Sequence, residues 1–274
     1  METFPVDKYI FNLVDDPNNK LGYEEKESIL KQAVPVARKA FRNEAVTETD
    51  IITHAFDVST AVYIKDKMGN LIGFSSCVQE NVLGKIIIHL KGTVLLPDYQ
   101  GDGLYSLLIV LRILAEAEKQ NGNSPLIGTR TQSPIVYYTM SEKLGLYPKL
   151  NEPTPNELIN TATLYAQIIS DKHSDFHPSR GVDFVQDSFI IRRAYGGVDA
   201  SGKEFGYCLY GDNVPWLRNN ESVNNYVKSH LNLNDGDAFL LLGNYDYKKT
   251  FGLLIDCVKK LAPSQPAIVE RFRR

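Results

Sequence analysis

The chain has 274 residues, 30 of them basic and 33 acidic, for a net charge of −3. Hydrophobic content of 43% and charged content of 23% suit a folded globular protein with a sizeable core, as one large domain or two ordinary ones. The acidic balance speaks against a nucleic-acid partner, no apolar run is long enough to span a bilayer, and three scattered cysteines (Cys77, Cys208, Cys257) suit reduced thiols better than a disulfide framework or metal site. The opening METFPVDKYIFNLVDD carries acids where a secretory leader would carry bases and a longer apolar segment, so a cytoplasmic protein is expected.

Residues 24–42 place Ile29, Ala33, Val36, Ala37 and Ala40 near one helical face, with Pro35 expected to kink or split the helix. Three strand-like runs follow at 58–66, 71–80 and 85–96. The links KMGN and NVLG read as tight hairpin turns, which makes these runs an antiparallel meander. Residues 103–120 then take helical periodicity, PLIGTRTQ (125–132) reads as a buried strand, and SPIVYYTMSEKLG (133–145) as a short helix ended by Gly145. Strand, helix and strand make a crossover unit, so 85–96 and 125–132 are expected to be parallel. The fold class is therefore α/β (α+β), a mixed sheet with an antiparallel meander and a parallel pair, flanked by helices.

After Leu150 the pattern thins. NEPTPNE (151–157) reads as a linker and 158–172 as a helix. Residues 183–195, 205–210 and 237–245 read as strands, 212–225 as a long polar loop, and 250–262 as a closing helix. The expected organisation is a core over 1–150 and an extension of its sheet over 151–274, favoured over a separate second domain.

The segment VLLPDYQGDGLYSLLI holds the chemistry. A helix start leaves about four backbone N–H groups unpaired and carries roughly half a positive charge. Glycines just ahead of it remove the Cβ atoms that would keep an anion away. Gln100, Gly101, Asp102, Gly103 and Leu104 therefore read as a phosphate cradle of main chain, or as a tight strand-to-helix connection with no ligand. A dinucleotide fold is disfavoured, because no acid ends the next strand and a meander precedes the turn; the Walker pattern lacks its lysine.

The same segment resembles the coenzyme A signature of the GNAT superfamily of acetyltransferases: an apolar strand, often a proline, then Q/R-x-x-G-x-G/A opening a helix. Gln100, Gly103 and the spacing match, while Tyr105 replaces the final small residue. MSEKLGLYP (140–148) resembles the family's second motif, and the order of elements over 24–148 follows the family. The resemblance implies a splayed opening between strands 85–96 and 125–132. The pantetheine arm would pair there with the backbone of Val94, Leu95 and Leu96, and a strand N–H would polarise the thioester carbonyl. Acetyl-CoA is the implied co-substrate, held also by Gly101, Asp102, Leu104, Tyr105 and Ser133, and an amine, small molecule or peptide, is the implied acceptor. No metal, nucleic acid or membrane is expected to take part.

An alkylammonium with a pKa near 10.4 needs roughly 4–5 kcal/mol to lose its proton at pH 7, so a base near neutrality helps. His89 is the candidate. It alternates with Ile86, Ile88 and Leu90 and is expected on the opposite face, eleven residues before Gln100, where histone-type members of the family place a glutamate. Glu80 is the second candidate, or a solvated strand end. The departing thiolate needs a proton, which many family members supply from a tyrosine four residues before the glycine of the second motif. Here that position is Ser141, a departure, with Tyr137 and Tyr138 one turn earlier; Tyr138 would serve in a shifted helix. Arg130, Thr131, Gln132 and Ser133 are expected to bond pantetheine or substrate, and Ser133 also fits a helix N-cap.

Other chemistries find no motif. GFSSC lacks the second glycine of a nucleophile elbow, NDGD lacks the ligands of a calcium loop, and His173 and His177 are followed by Pro178, which favours a loop. An acetyl-CoA-dependent N-acetyltransferase is the leading reading, and a CoA-binding module without turnover is the alternative.

Overall fold

The computed structural model describes residues 1–42, 46–101, 103–173, 183–198, 201, 203–262 and 267–274. Asp102 and His177 therefore lie outside the described residues. The strands form a mixed, mostly antiparallel arrangement with one parallel pair and flanking helices, as expected from the sequence. The chain divides into two compact units, one made of 1–80, 88–125 and 245–274, the other of 81–87 and 126–244.

The first unit opens with a hairpin that the sequence does not announce. Strands β1 (Glu2–Val6) and β2 (Tyr9–Asp15) pair antiparallel across Asp7, which takes the left-handed conformation at φ 53°. A short helix α1 (Pro17–Lys20) leads to α2 (Tyr23–Phe41), which buries Ile29, Ala33, Val36 and Ala37 as its periodicity demands. Helix α2 continues through Pro35. A proline removes one i→i−4 bond, and the buried residues on both sides of it hold the two halves to the same core.

Helix α3 (Glu48–Ala55) is capped by Thr47, whose hydroxyl accepts from Asp50 N at 3.2 Å. Strands β3 (Thr60–Asp66), β4 (Leu71–Val82) and β5 (Lys85–Leu95) form the expected meander. Its second link is a two-residue turn, with Leu83 at φ 54° and Gly84 at φ 75°, the mirror-type turn that suits the twist of a hairpin. Helix α4 (Leu104–Glu118) packs on β3. The strands of this unit lie in the order β1-β2-β3-β4-β5.

In the second unit, β6 (Leu126–Thr131) runs into a helical turn, α5 (Pro134–Tyr137), and then a π-type turn over Tyr138–Lys143 that ends at Gly145 with φ 82°. Helix α6 (Asn156–His173) packs over the sheet. Its Tyr165 ring sits where a Cβ on Gly128 would come within 2.4 Å, so β6 needs glycine there.

The expected strand over 183–195 is instead two short strands, β7 (Phe184–Val185) and β8 (Ile190–Ile191), paired antiparallel. The polar run Gln186–Ser188, with Phe189 at φ 52°, turns the chain between them. Of the expected strand 205–210 only β10 (Glu204–Gly206) forms, against β9 (Gly196–Val198). The polar loop expected over 212–225 ends early in helix α7 (Glu221–His230), capped by Asn220 Oδ1, which accepts from Val223 N at 3.1 Å. Strand β11 (Ala238–Asn244) is central, antiparallel to β6 over Phe239↔Thr131 to Asn244↔Leu126, and the order is β6-β11-β8-β7. The chain then returns to the first unit, where α8 (Tyr247–Leu261) packs on α4 and α9 (Ala267–Arg271) packs on β1. Arg271 bonds both Glu2 and Glu118 there.

Candidate functional site

The expected site residues divide between the two units. The first holds His89, Val94, Leu95, Leu96, Gln100, Gly101, Gly103, Leu104 and Tyr105; the second holds Ser133, Tyr138 and Ser141.

Strand β5 ends with Val94 and Leu95 buried. Leu96 N then donates to Ile72 O at 2.9 Å, so that amide belongs to the meander. A single 3-10 turn over Pro97–Tyr99 follows, and Gln100 reaches back so that its Nε2 donates to Leu95 O at 3.0 Å. The Gln100 side chain thereby closes the end of the strand and does not fill the turn. Gly101 and Gly103 take φ of 105° and 86°, and a Cβ at either would meet nothing within 4 Å. Glycine is required by backbone conformation, and the space beside both residues is open.

Gly103 is the N-cap of α4 and brings no side chain to cap it. The helical ladder starts with Leu107 N donating to Gly103 O at 3.0 Å, so the amides of Gly103, Leu104, Tyr105 and Ser106 precede it. Leu104 turns inward and is fully buried, while Tyr105 and Ser106 are half-buried. The result is a fifteen-residue helix with an open glycine turn in front of its start, a form that suits a phosphate oxygen.

His89 is 3% exposed. Ile87 to Leu90 are all buried, so β5 is covered on both faces here and the face that carries His89 is not a solvent-exposed one. Glu80 is buried as well, not solvated. Next to His89 in β5, Lys91 donates from Nζ to Thr53 O at 2.7 Å; burial pulls its pKa down, opposed by Asp57 and Glu80.

Sequence reading missed the polar layer beneath α4. The carboxylate of Glu116 is fully buried and accepts from Thr60, Gln79 and Lys119, the last at 2.9 Å. Cys77 lies alongside, with its thiol pKa pushed up by burial. Arg112 is buried too, and burial lowers its pKa to about 10. The signal was available, since Arg112 and Glu116 stand four apart inside an otherwise apolar helical run.

In the second unit, Ser133 caps α5: its Oγ accepts from Val136 N at 3.3 Å, and its own N–H donates to Thr131 Oγ1 at 2.9 Å. Arg130 donates to Ala194 O at 2.8 Å and lies over the Tyr195 ring. Gln132 is spent inside the unit. Its Nε2 donates to the carbonyls of Asp237 (3.1 Å), Leu233 (3.3 Å) and Tyr207 (3.4 Å), while its Oε1 accepts from Leu209 N at 2.8 Å. Gln132→Ala would leave these buried and part-buried groups unmet, and an expected loss of about 2–4 kcal/mol is readable in thermal unfolding.

The π-type turn, in which Leu144 N donates to Thr139 O at 3.1 Å, adds a residue to the helix and rotates the side chains after it. Ser141 ends up buried, its hydroxyl donating to Pro148 O at 3.0 Å. Tyr138 is half-buried under Lys143 Nζ, 5.4 Å from the ring centre. Tyr137 is fully buried against Tyr226 and Phe239, and burial pushes its phenol pKa up. Among the described residues no three His, Cys, Asp or Glu side chains are grouped to hold a metal, and no helix is long and apolar enough to cross a membrane.

No family model and no curated protein matches the sequence. Solved structures do match. A GNAT family N-acetyltransferase from Escherichia coli in complex with CoA aligns at 16% identity over 54% of this chain and 73% of its own, with a TM-score of 0.37. A GNAT family acetyltransferase from Brucella melitensis in complex with acetyl-CoA aligns at 15% identity over 43% and 74%, with a TM-score of 0.30. One from Staphylococcus aureus aligns at 11% identity over 52% and 89%, with a TM-score of 0.36.

Proposed function

We propose that the protein is an acetyl-CoA-dependent N-acetyltransferase. The carrying observation is the open turn at Gly101–Gly103, two left-handed glycines placed before a fifteen-residue helix with no side-chain cap. The diphosphate of coenzyme A would sit on the amides around Gly103, and the pantetheine arm would follow the backbone of Val94 and Leu95, because the Leu96 N–H already donates to Ile72 O and its C=O accepts from Tyr99 N. An amine attacks the thioester carbonyl carbon directly, the C–S bond breaks, and the amine's proton passes to His89. Tyr138 is the better donor to the departing thiolate, since the Ser141 hydroxyl is already given to Pro148 O. The GNAT structures solved with CoA and acetyl-CoA support this reading of the cofactor. The chain after Leu150 is assigned the acceptor side, because the cofactor residues all precede it.

The commitment of Ser141 also favours a second reading, a module that binds acyl-CoA without turning it over. Release of free CoA thiol from acetyl-CoA in the presence of an amine panel decides between them. Amine-dependent thiol supports the enzyme. Binding with no thiol release supports the module. A ligand at about 100 times its dissociation constant should add roughly 2.7 kcal/mol of stability, so the absence of any thermal shift with acetyl-CoA would remove both.

A further inference from the structure

Arg112 sits in the third turn of α4, almost fully buried, on an otherwise apolar stretch of helix. A buried guanidinium costs several kcal/mol unless its donors are met, so its contacts carry information about why it is there. Its Nη1 donates to three backbone carbonyls: Ser76 O in β4, Lys91 O at 3.2 Å and Gly92 O at 3.3 Å in β5. Successive carbonyls of a regular strand point to opposite edges, yet those of Lys91 and Gly92 converge on one nitrogen. That convergence implies a bulge in β5 at this point, with Arg112 donating to both carbonyls. Gly92 fits the same irregularity, since a Cβ there would press within 3.3 Å of the His54 ring.

Two features place this bulge with the cofactor and not with the core alone. It lies two residues before Val94, where the pantetheine pairing begins. Its clamp also grows from the helix whose first turn forms the phosphate cradle, nine residues or about 13 Å up the axis from Gly103. One side chain thus ties the helix that would hold the diphosphate to the strand that would hold the arm.

Resting on the acyltransferase reading above, we infer that Arg112 is a positioning residue that fixes the Lys91–Gly92 bulge of β5 and thereby the spacing between the diphosphate turn and the pantetheine-binding strand. It touches neither substrate. Its role is to keep both halves of one long ligand in register.

The inference is tested with Arg112→Met and Arg112→Lys in the full chain, against two probes. Acetyl-CoA needs both the turn and the strand; 3′-phosphoadenosine 5′-diphosphate, the nucleotide half of coenzyme A, needs the turn alone. Arg112→Met is expected to weaken acetyl-CoA binding about tenfold or more while leaving the nucleotide within about twofold. Arg112→Lys presents its donors from one point and not from a fork, so a smaller shift in the same ratio is expected. A merely structural residue would weaken both probes together. An unchanged ratio in whichever variant folds overturns the inference, whereas wild-type protein that binds neither probe overturns the acyltransferase reading itself.

Discussion

Gly103→Ala is expected to raise the KM for acetyl-CoA at least tenfold while lowering stability by only about 1 kcal/mol. The two effects separate because they have different physical origins. Gly103 has φ 86°, and an alanine there bears the left-handed strain of an L-residue. Its new Cβ meets no protein atom within 4 Å, so the fold is not blocked. The same Cβ occupies the space in front of the α4 amides that a diphosphate would need. Gly69 supplies the control. It turns the β3–β4 hairpin at φ 87° with equally open surroundings, far from the cradle in sequence. Gly69→Ala should cost the same stability and leave acetyl-CoA kinetics unchanged. Equal KM values for the two variants would show that the Gly103 turn is a connection and nothing more.

That turn was legible in the sequence because only glycine adopts its backbone conformation freely, so the residue type reports the geometry directly. The same holds for the NVLG hairpin and for Gly145 at the end of the short helix. Strand β11 was legible through its continuous apolar run, which buries on both faces between β6 and β8. Helix α7 was hidden because it buries little apolar surface: Val223 and Val227 face inward, and beside them Asn224 bridges Leu217 by giving to its carbonyl and accepting from its amide. A polar residue doing that structural work reads as loop.

Site residues divide in the same way. Ser133 could be placed as a cap because its partner Val136 is three residues away. Gln132 looks like a ligand-binding residue from its position at a strand end, and its true partners lie around Tyr207, Leu209, Leu233 and Asp237. Nothing local in the sequence announces them. The Glu116 layer follows the same rule, since its hydrogen-bond partners Thr60 and Gln79 come from strands that precede α4 by dozens of residues. Residues whose environment is built by neighbours in sequence are readable; residues whose environment is built by tertiary contacts are read only as types.

His89→Gln is expected to lower kcat for an alkylamine acceptor by about 10²-fold, the usual worth of a positioned general base. His89 is buried in β5, and the substitution keeps a side chain able to hydrogen bond, so the fold should tolerate it better than an apolar replacement. Burial alone would also suit a purely structural histidine, and the choice of acceptor tells the two apart. An alkylammonium must shed its proton before or during attack, at a cost of roughly 4–5 kcal/mol at pH 7. A weakly basic amine is already neutral at that pH and needs less help. A residue that accepts the proton should therefore matter greatly for the first acceptor and much less for the second, with the KM for acetyl-CoA unmoved in both. Equal losses for the two amines would assign His89 to the architecture of β5. The proton would then have to leave through solvent or another group, and Glu80, buried on the neighbouring strand, is the next residue to replace.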